Sequence, residues 1–359
     1  MLNVDVLLYI FEACQESGET GSLLAAALVC RRWAAPAQAA LCNMIDLTIY
    51  IRDSRNIRAE RFARTMQTCP HLLSSIRHLD LEVQDPSLLS EHLSWLQKIP
   101  PGGLKSLWLR WEYGGWPPTK SESMQCAVIR APGVRGVRSL SLAGRFYPEV
   151  LREVAEFPLL ENVTTRITRC AQFSAPVLRR FPRLKWACVR ADVYAQTHVQ
   201  LLFPVASSPQ LQTLIIVFNV EDCVHLLPSA LRSVAPSLRH LRLIIIDDAL
   251  DRVGKHSFMD EVIQCLPSLK RLAITPGTYS SALFERLPRS LKYLELLPGP
   301  GGFPYRDALV AYITRAAKSK LPLKMVAVPA SLKRATVDAV ISEACEACGV
   351  ALRVARIRW

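Results

Sequence analysis

The sequence predicts an α/β fold in which a small all-helical unit leads into a curved solenoid of strand-and-helix repeats, with a parallel sheet on its concave face. Three observations carry that prediction. Apolar residues recur at helical spacing over residues 1–47. From about residue 70 a Leu-x-x-Leu-x-Leu phrase returns again and again to the end of the chain. Between successive phrases lie segments of helix-forming composition, such as PSLLSEHLSWLQKI and YRDALVAYITRAAK. The organisation that follows is a helical unit over 1–47, a linker and capping helix over 48–70, and ten to eleven irregular repeats over 71–359.

In the first helix, VDVLLYIFEACQ, the apolar residues Val6, Leu7, Ile10, Phe11 and Cys14 share one broad face. QESGETG interrupts it with Gly18 and Gly21. A second helix is expected from Ser22, as N-cap, to about Trp33, and a third with Pro36 in its first turn. Three helices this short and this apolar cannot bury all their faces against one another, so the unit is expected to lend a face to a partner.

The repeat phrase starts at Ile76, Leu104, Val137, Leu160, Leu184, Leu211, Leu238, Leu269, Leu291 and Leu323, with ALRVARI as an eleventh, at intervals of 22 to 33 residues. Positions four and six of each phrase turn inward as a short strand, and the helical stretch returns the chain so that the next strand adds in parallel. One such unit cannot bury its own faces, whereas a stack shares a continuous core.

Composition narrows the function classes. The chain carries 44 basic and 31 acidic residues, a net of +13. Residues 1–46 hold two basic and five acidic residues, so the remainder carries 42 against 26, or +16. A basic surface favours acidic partners. Eleven cysteines at irregular spacing, with no basic leader before MLNVDVLLYIF, point to reduced thiols in the cytoplasm or nucleus. The longest apolar runs fall short of a membrane span, so no membrane partner is expected.

The helical unit resembles the F-box. Leu2-Asn3 stands where that family has Leu-Pro, VDVLLYIF matches its first helix, LVCRRW its Val-Cys-Arg-x-Trp phrase, and LCNMIDL its closing Leu-Trp-x-x-Ile-x-Leu. Asn3 replaces the proline and Cys42 the tryptophan. The chain begins abruptly at the motif, which leaves room for a few residues ahead of it. The second region resembles the leucine-rich repeats of F-box proteins in a degenerate form; of the asparagines that usually follow each strand only Asn219 is in place. The combination is similar to fungal-type F-box proteins. The resemblance implies a substrate receptor of an SCF-type ubiquitin ligase, acting in ubiquitin-dependent degradation. Its F-box would dock an Skp-type adaptor, and through it a cullin scaffold, by Leu2, Ile10, Phe11, Leu28, Val29, Cys30, Arg31 and Trp33. The repeats would hold the substrate.

Positions three, five and seven of each repeat face the concave side. There the expected substrate-binding residues are Trp108, Arg110, Arg166, Trp186, Arg190, His240, Arg242, Arg271 and Tyr293. Aromatic and guanidinium groups in a basic groove suit an acidic or phosphorylated peptide. Basic residues at position two (Lys105, Lys185, Arg239, Lys270, Lys292 and Lys324) form an edge and not a groove, which disfavours a nucleic-acid partner. Cys345-Glu-Ala-Cys348 lacks the second ligand pair of a zinc site, and PGPGG lacks the Lys-Ser/Thr of a phosphate loop. No catalytic, metal or cofactor constellation is expected. The chain reads as a binding protein and not an enzyme, the alternatives to a ligase receptor being a free-standing repeat scaffold or, less favoured, a nucleic-acid binder.

Overall fold

The computed structural model of the chain describes residues 3–50, 57–84, 92–112, 118–170, 181–191, 208–218, 227–233, 236–245, 257–298, 303–329 and 338–355. Leu2 and Asn219 lie outside these. The chain divides into two compact units, Met1–Leu160 and Glu161–Trp359.

The first unit opens with helices α1 (Val4–Glu16), α2 (Thr20–Val29) and α3 (Arg31–Asn43). Gly18, at φ 78°, ends α1: its N–H donates to the Gln15 carbonyl and the Glu19 N–H to the Cys14 carbonyl, both at 2.9 Å. This Schellman closure needs a left-handed residue, which glycine adopts without a Cβ penalty. The expected helix from Ser22 to Trp33 is in fact two helices. Cys30 is extended (φ −162°, ψ 162°), and its carbonyl accepts from the Trp33 and Ala34 N–H groups at 3.0 Å, opening α3. Pro36 therefore lies inside α3 and not in its first turn. Ser22 is not the N-cap of α2; that position is Glu19, whose carboxylate accepts from the Ser22 hydroxyl at 3.2 Å.

Strand β1 (Met44–Ile49) follows α3 directly and buries Ile45, Leu47 and Ile49 on one face. It pairs in parallel with β2 (His78–Val83), so the sheet begins inside residues that the sequence reads as the end of the helical unit. The intervening stretch includes α4 (Ile57–Thr68), which buries Ala59, Ala63 and Met66. Strands β3 (Ser106–Trp111) and β4 (Ser139–Phe146) add in order.

The second unit carries β5 (Asn162–Cys170), β6 (Trp186–Ala191), β7 (Thr213–Phe218), β8 (His240–Ile245), β9 (Arg271–Ile274), β10 (Tyr293–Leu296), β11 (Met325–Val328) and β12 (Ala351–Val354). Each pairs in parallel with the next. All eleven repeat phrases are thus strands; the first ten start at position three, and β12 starts at the first residue of ALRVARI, which is position three counted from Gly349. The fold is a leucine-rich-repeat α/β architecture in both units.

The recurring Pro-x-Leu phrase has a local cause. In three repeats the position-one leucine N–H (Leu184, Leu211 and Leu269) bonds back to the carbonyl three residues earlier (Phe181, Ser208 and Leu266). That places Pro182, Pro209 and Pro267 second in the turn, where their fixed φ is already correct. The position-two backbone then links the repeats. Lys270 N–H donates to the Arg239 carbonyl at 2.7 Å, Lys292 N–H to Lys270 at 2.8 Å, and Lys324 N–H to Lys292 at 2.8 Å. Leucines at positions one, four and six, such as Leu291, Leu294 and Leu296, are wholly buried beneath.

Gly144 marks the closest backbone approach. At φ 102° it pairs with Trp111, and a Cβ there would lie 2.1 Å from the Trp111 carbonyl oxygen. Gly144→Ala is therefore expected to cost about 2–5 kcal/mol, combining overpacking with left-handed strain. Urea unfolding followed by tryptophan fluorescence measures it; a change below about 0.5 kcal/mol, the range of neutral surface substitutions, would contradict the packing described.

Candidate functional site: a groove on the odd-numbered face of the second unit

Because the strands pair without a slip, equal positions line up across them. Position three forms the row Trp186, Thr213, His240, Arg271, Tyr293, Met325 and Ala351. Position five forms Cys188, Ile215, Arg242, Ala273, Glu295, Ala327 and Arg353. Neighbouring members stand about 4.8 Å apart. The alanines at 273 and 327 leave a gap between longer neighbours. Over these rows opens a cavity of about 890 Å³, lined among others by Trp186, Ile215, His240, Arg242, Arg271, Ala273, Tyr293, Glu295, Ala327 and Arg353.

Five of the nine residues expected on this face line the cavity together: Trp186, His240, Arg242, Arg271 and Tyr293. Arg271 lies over the Tyr293 ring, 4.9 Å from its centroid, so the aromatic–guanidinium contact runs across neighbouring strands. Thr213 Oγ1 and His240 Nδ1 are 3.3 Å apart. Burial lowers the His240 pKa from its usual 6.5, and the cations of Arg271, Lys270 and Arg239 lower it further, so the ring is neutral at pH 7. Arg242 Nε and Nη2 are buried without a hydrogen-bond partner among the described residues. Ala273, the register partner of Arg242, belongs to a buried apolar cluster with Val217, Ile244 and Leu297, with Ile215 packed against it.

The other four expected residues are elsewhere. Arg166 and Arg190 are register partners outside the cavity lining. Trp108 and Arg110 belong to the first unit, where Arg110 is committed to Glu112 at 2.6 Å and Glu82 at 3.8 Å. Arg353 and Ala327 were not among the expected residues, and Ala273 was expected on this face only as a position-five residue, not as a binding one. Arg353 sits in a repeat whose position one is Gly349, so its strand lacks the leading leucine. The signal that finds it is the Leu352–Val354 alternation. Cys345, in the Cys-x-x-Cys pair, is buried, and its thiol is pushed up by that burial and by Cys348.

In the first unit the structure sorts the residues expected to dock an adaptor. Phe11 is not on the surface. It is 4 % exposed, in a core with Leu7, Leu23, Ala26, Ala37 and Ala40, and meets Trp33 edge-on at 5.8 Å. Trp33 is half-buried against the same core. Ile10, Leu28, Val29, Cys30 and Arg31 are exposed. Cys42, at the position of the family's tryptophan, is half-buried, with burial raising its thiol pKa ahead of the effect of Cys69.

No family model and no curated protein matches the chain. Among solved structures it is similar to an internalin, InlF, of Listeria monocytogenes (13 % identity, TM-score 0.37, covering 80 % of this chain and 82 % of that one). It is also similar to TLR13 in its complex with ssRNA13 (13 % identity, TM-score 0.35, covering 72 % of this chain and 40 % of that one). Among the described residues no helix is long and apolar enough to cross a membrane.

The groove's field has a direct readout. The His240 imidazole is expected to titrate below pH 6.5, and Arg271→Gln to move that midpoint back upward, followed by NMR of the ring Hε1. A wild-type midpoint at or above 6.5 would contradict the electropositive groove.

Proposed function

We propose that the chain is a substrate receptor of an SCF-type ubiquitin ligase, its N-terminal helices docking an Skp-type adaptor and its repeats holding a protein substrate in the cytoplasm or nucleus. One observation carries the reading: two stripes of large apolar side chains that the N-terminal helices leave in water. Val6, Tyr9 and Ile10 lie at i, i+3 and i+4 on α1 and are 43 %, 75 % and 41 % exposed. Leu24 and Leu28 lie at i and i+4 on α2, and Val29 beside them is 63 % exposed, Leu28 87 %. Apolar surface of this extent on so small a unit favours a partner. The exposed Arg31 and Arg32 flank it and would steer an acidic adaptor more than they add affinity.

The repeat region supports the other half of the proposal at a coarser level. A parallel array presenting a cavity built from side chains of several repeats is suited to hold a partner across them. The position-two cations lie in a row at the strand starts, apart from the cavity's rows, which keeps a nucleic-acid partner the less favoured reading.

A pull-down of the full chain with the Skp-type adaptor of its own organism tests this, beside Leu28→Asp and Val29→Asp. Both positions are exposed, so the variants should keep the wild-type circular dichroism. The expected loss is at least about 30-fold in affinity, the scale of an interface hot spot. No binding by wild type would leave a repeat scaffold without the ligase role, and equal binding by wild type and variants would overturn the exposed stripe as the docking seat.

A further inference from the structure

One edge of the second unit's sheet carries charge that its own fold leaves unbalanced. Position two of β8, β9, β10 and β11 is held by Arg239, Lys270, Lys292 and Lys324. Their backbones are joined in sequence, each N–H to the preceding carbonyl, so the four Cα atoms stand in a row about 4.8 Å apart. Arg239 and Lys324 are exposed, Lys270 and Lys292 half-buried, and none of the four lines the cavity. Among the described residues none of them forms an ion pair. Like charges this close lie well inside a screening length of about 10 Å, so the row repels itself and works against the fold.

A neighbouring pair shows position two serving the fold instead. Glu161 and Lys185 occupy it before β5 and β6 and meet in an ion pair of 2.9 Å. From β8 onward the acidic member is gone. The segments leading into the four strands, 236–239, 264–270, 286–292 and 315–324, hold Lys and Arg but no Asp or Glu. Arg286 and Arg315 are committed to the carbonyls of Asp260 and Phe284. Arg289, Lys318 and Lys320 are exposed and add to the charge of the edge. Lys318 also meets the dipole of its helix, Arg306–Lys318, but no dipole accounts for the row on the strands. Gln212 and Val350, at position two of β7 and β12, bound the row.

The composition of the edge selects its partner. The four segments contain no aromatic residue on which a base could stack. They also contain none of the exposed large apolar side chains that anchor a protein partner. Three of the four residues are lysines, hydrated point charges without the bidentate fork that selects one anion geometry. What remains is charge alone, spread along about 14 Å of sheet edge. That suits a surface of dense and interchangeable anions, the headgroups of an acidic bilayer.

We propose that the strand-start edge of β8 to β11 is a peripheral docking face for an anionic phospholipid membrane, met by Arg239, Lys270, Lys292 and Lys324. Peripheral contact of this kind needs no membrane-spanning segment; here it replaces the sequence-based expectation of no membrane partner.

The test is co-sedimentation of the full chain with phosphatidylcholine vesicles, with and without about 30 % phosphatidylserine. Binding is expected only to the acidic vesicles. It should be lost between about 0.1 and about 1 M salt, as the screening length falls from about 10 to about 3 Å. The triple variant Lys270→Gln, Lys292→Gln and Lys324→Gln should partition at least about tenfold less. It should also melt at or above the wild-type temperature, because repulsion along the row is relieved. Arg58→Gln with Arg61→Gln and Arg64→Gln, three exposed positions on α4, removes the same net charge and should bind nearly as wild type does. No binding by wild type, or equal losses in the two triple variants, would overturn the proposal. So would a lysine variant that melts lower, since those side chains would then serve the fold. Binding of an oligothymidylate that the same lysine substitutions abolish, without binding of acidic vesicles, would make the edge a nucleic-acid contact instead. Adaptor docking plays no part in this readout, so its failure in the pull-down leaves the outcome here untouched.

Discussion

Within each unit the structure depends on one constraint, that neighbouring repeats pair without a slip of register. In repeats such as those of β9 and β10 the constraint is imposed twice over. Leucines at positions four and six must both face inward, so a shift of one residue would turn the entire apolar set to water. The position-two N–H then reaches the position-two carbonyl of the preceding repeat, as Lys270, Lys292 and Lys324 do, which fixes the same phase through the backbone. Repeats of very different length are tolerated because the variation falls between strands and never within them.

Register converts a one-dimensional pattern into a surface. Residues separated by 22 to 31 in sequence, such as His240, Arg271 and Tyr293, become neighbours at a single strand spacing. The surface is then shaped by what is small as much as by what is charged. Ala273 and Ala327 open depth between Arg242, Glu295 and Arg353. In the first unit the same face carries Glu82, Arg110 and Glu112, whose charges satisfy one another.

Much of this was legible in the sequence, and the limits have physical reasons. The repeat strands were legible because leucine at positions one, four and six is a signature no helix reproduces. Strand β1 was not, because its phrase, Cys42-Asn43-Met44-Ile45-Asp46-Leu47, opens on cysteine and also serves as the end of the helical motif. The break at Cys30 was invisible for a similar reason: it uses neither glycine nor proline, only an extended cysteine whose carbonyl starts the next helix. Phe11 was expected to dock because the resemblance grouped it with Ile10, and the one broad apolar face of α1 does not tell which of its edges meets the core. Five groove residues were reached by counting odd positions. The order Arg242, Ala273, Glu295 along position five also follows from that count; the depth of the cavity over it does not.

The most direct test of the account is therefore a register measurement by cysteine pairing. Adjacent in-register positions on parallel strands bring their Cα atoms to about 4.8 Å, within disulfide range, while a partner two residues further on stands beyond about 7 Å. Thr213→Cys with His240→Cys should close a disulfide under mild oxidation, and Thr213→Cys with Arg242→Cys should not. The reverse outcome would mean that the repeats are stacked in another phase, and the rows that build the groove would not exist.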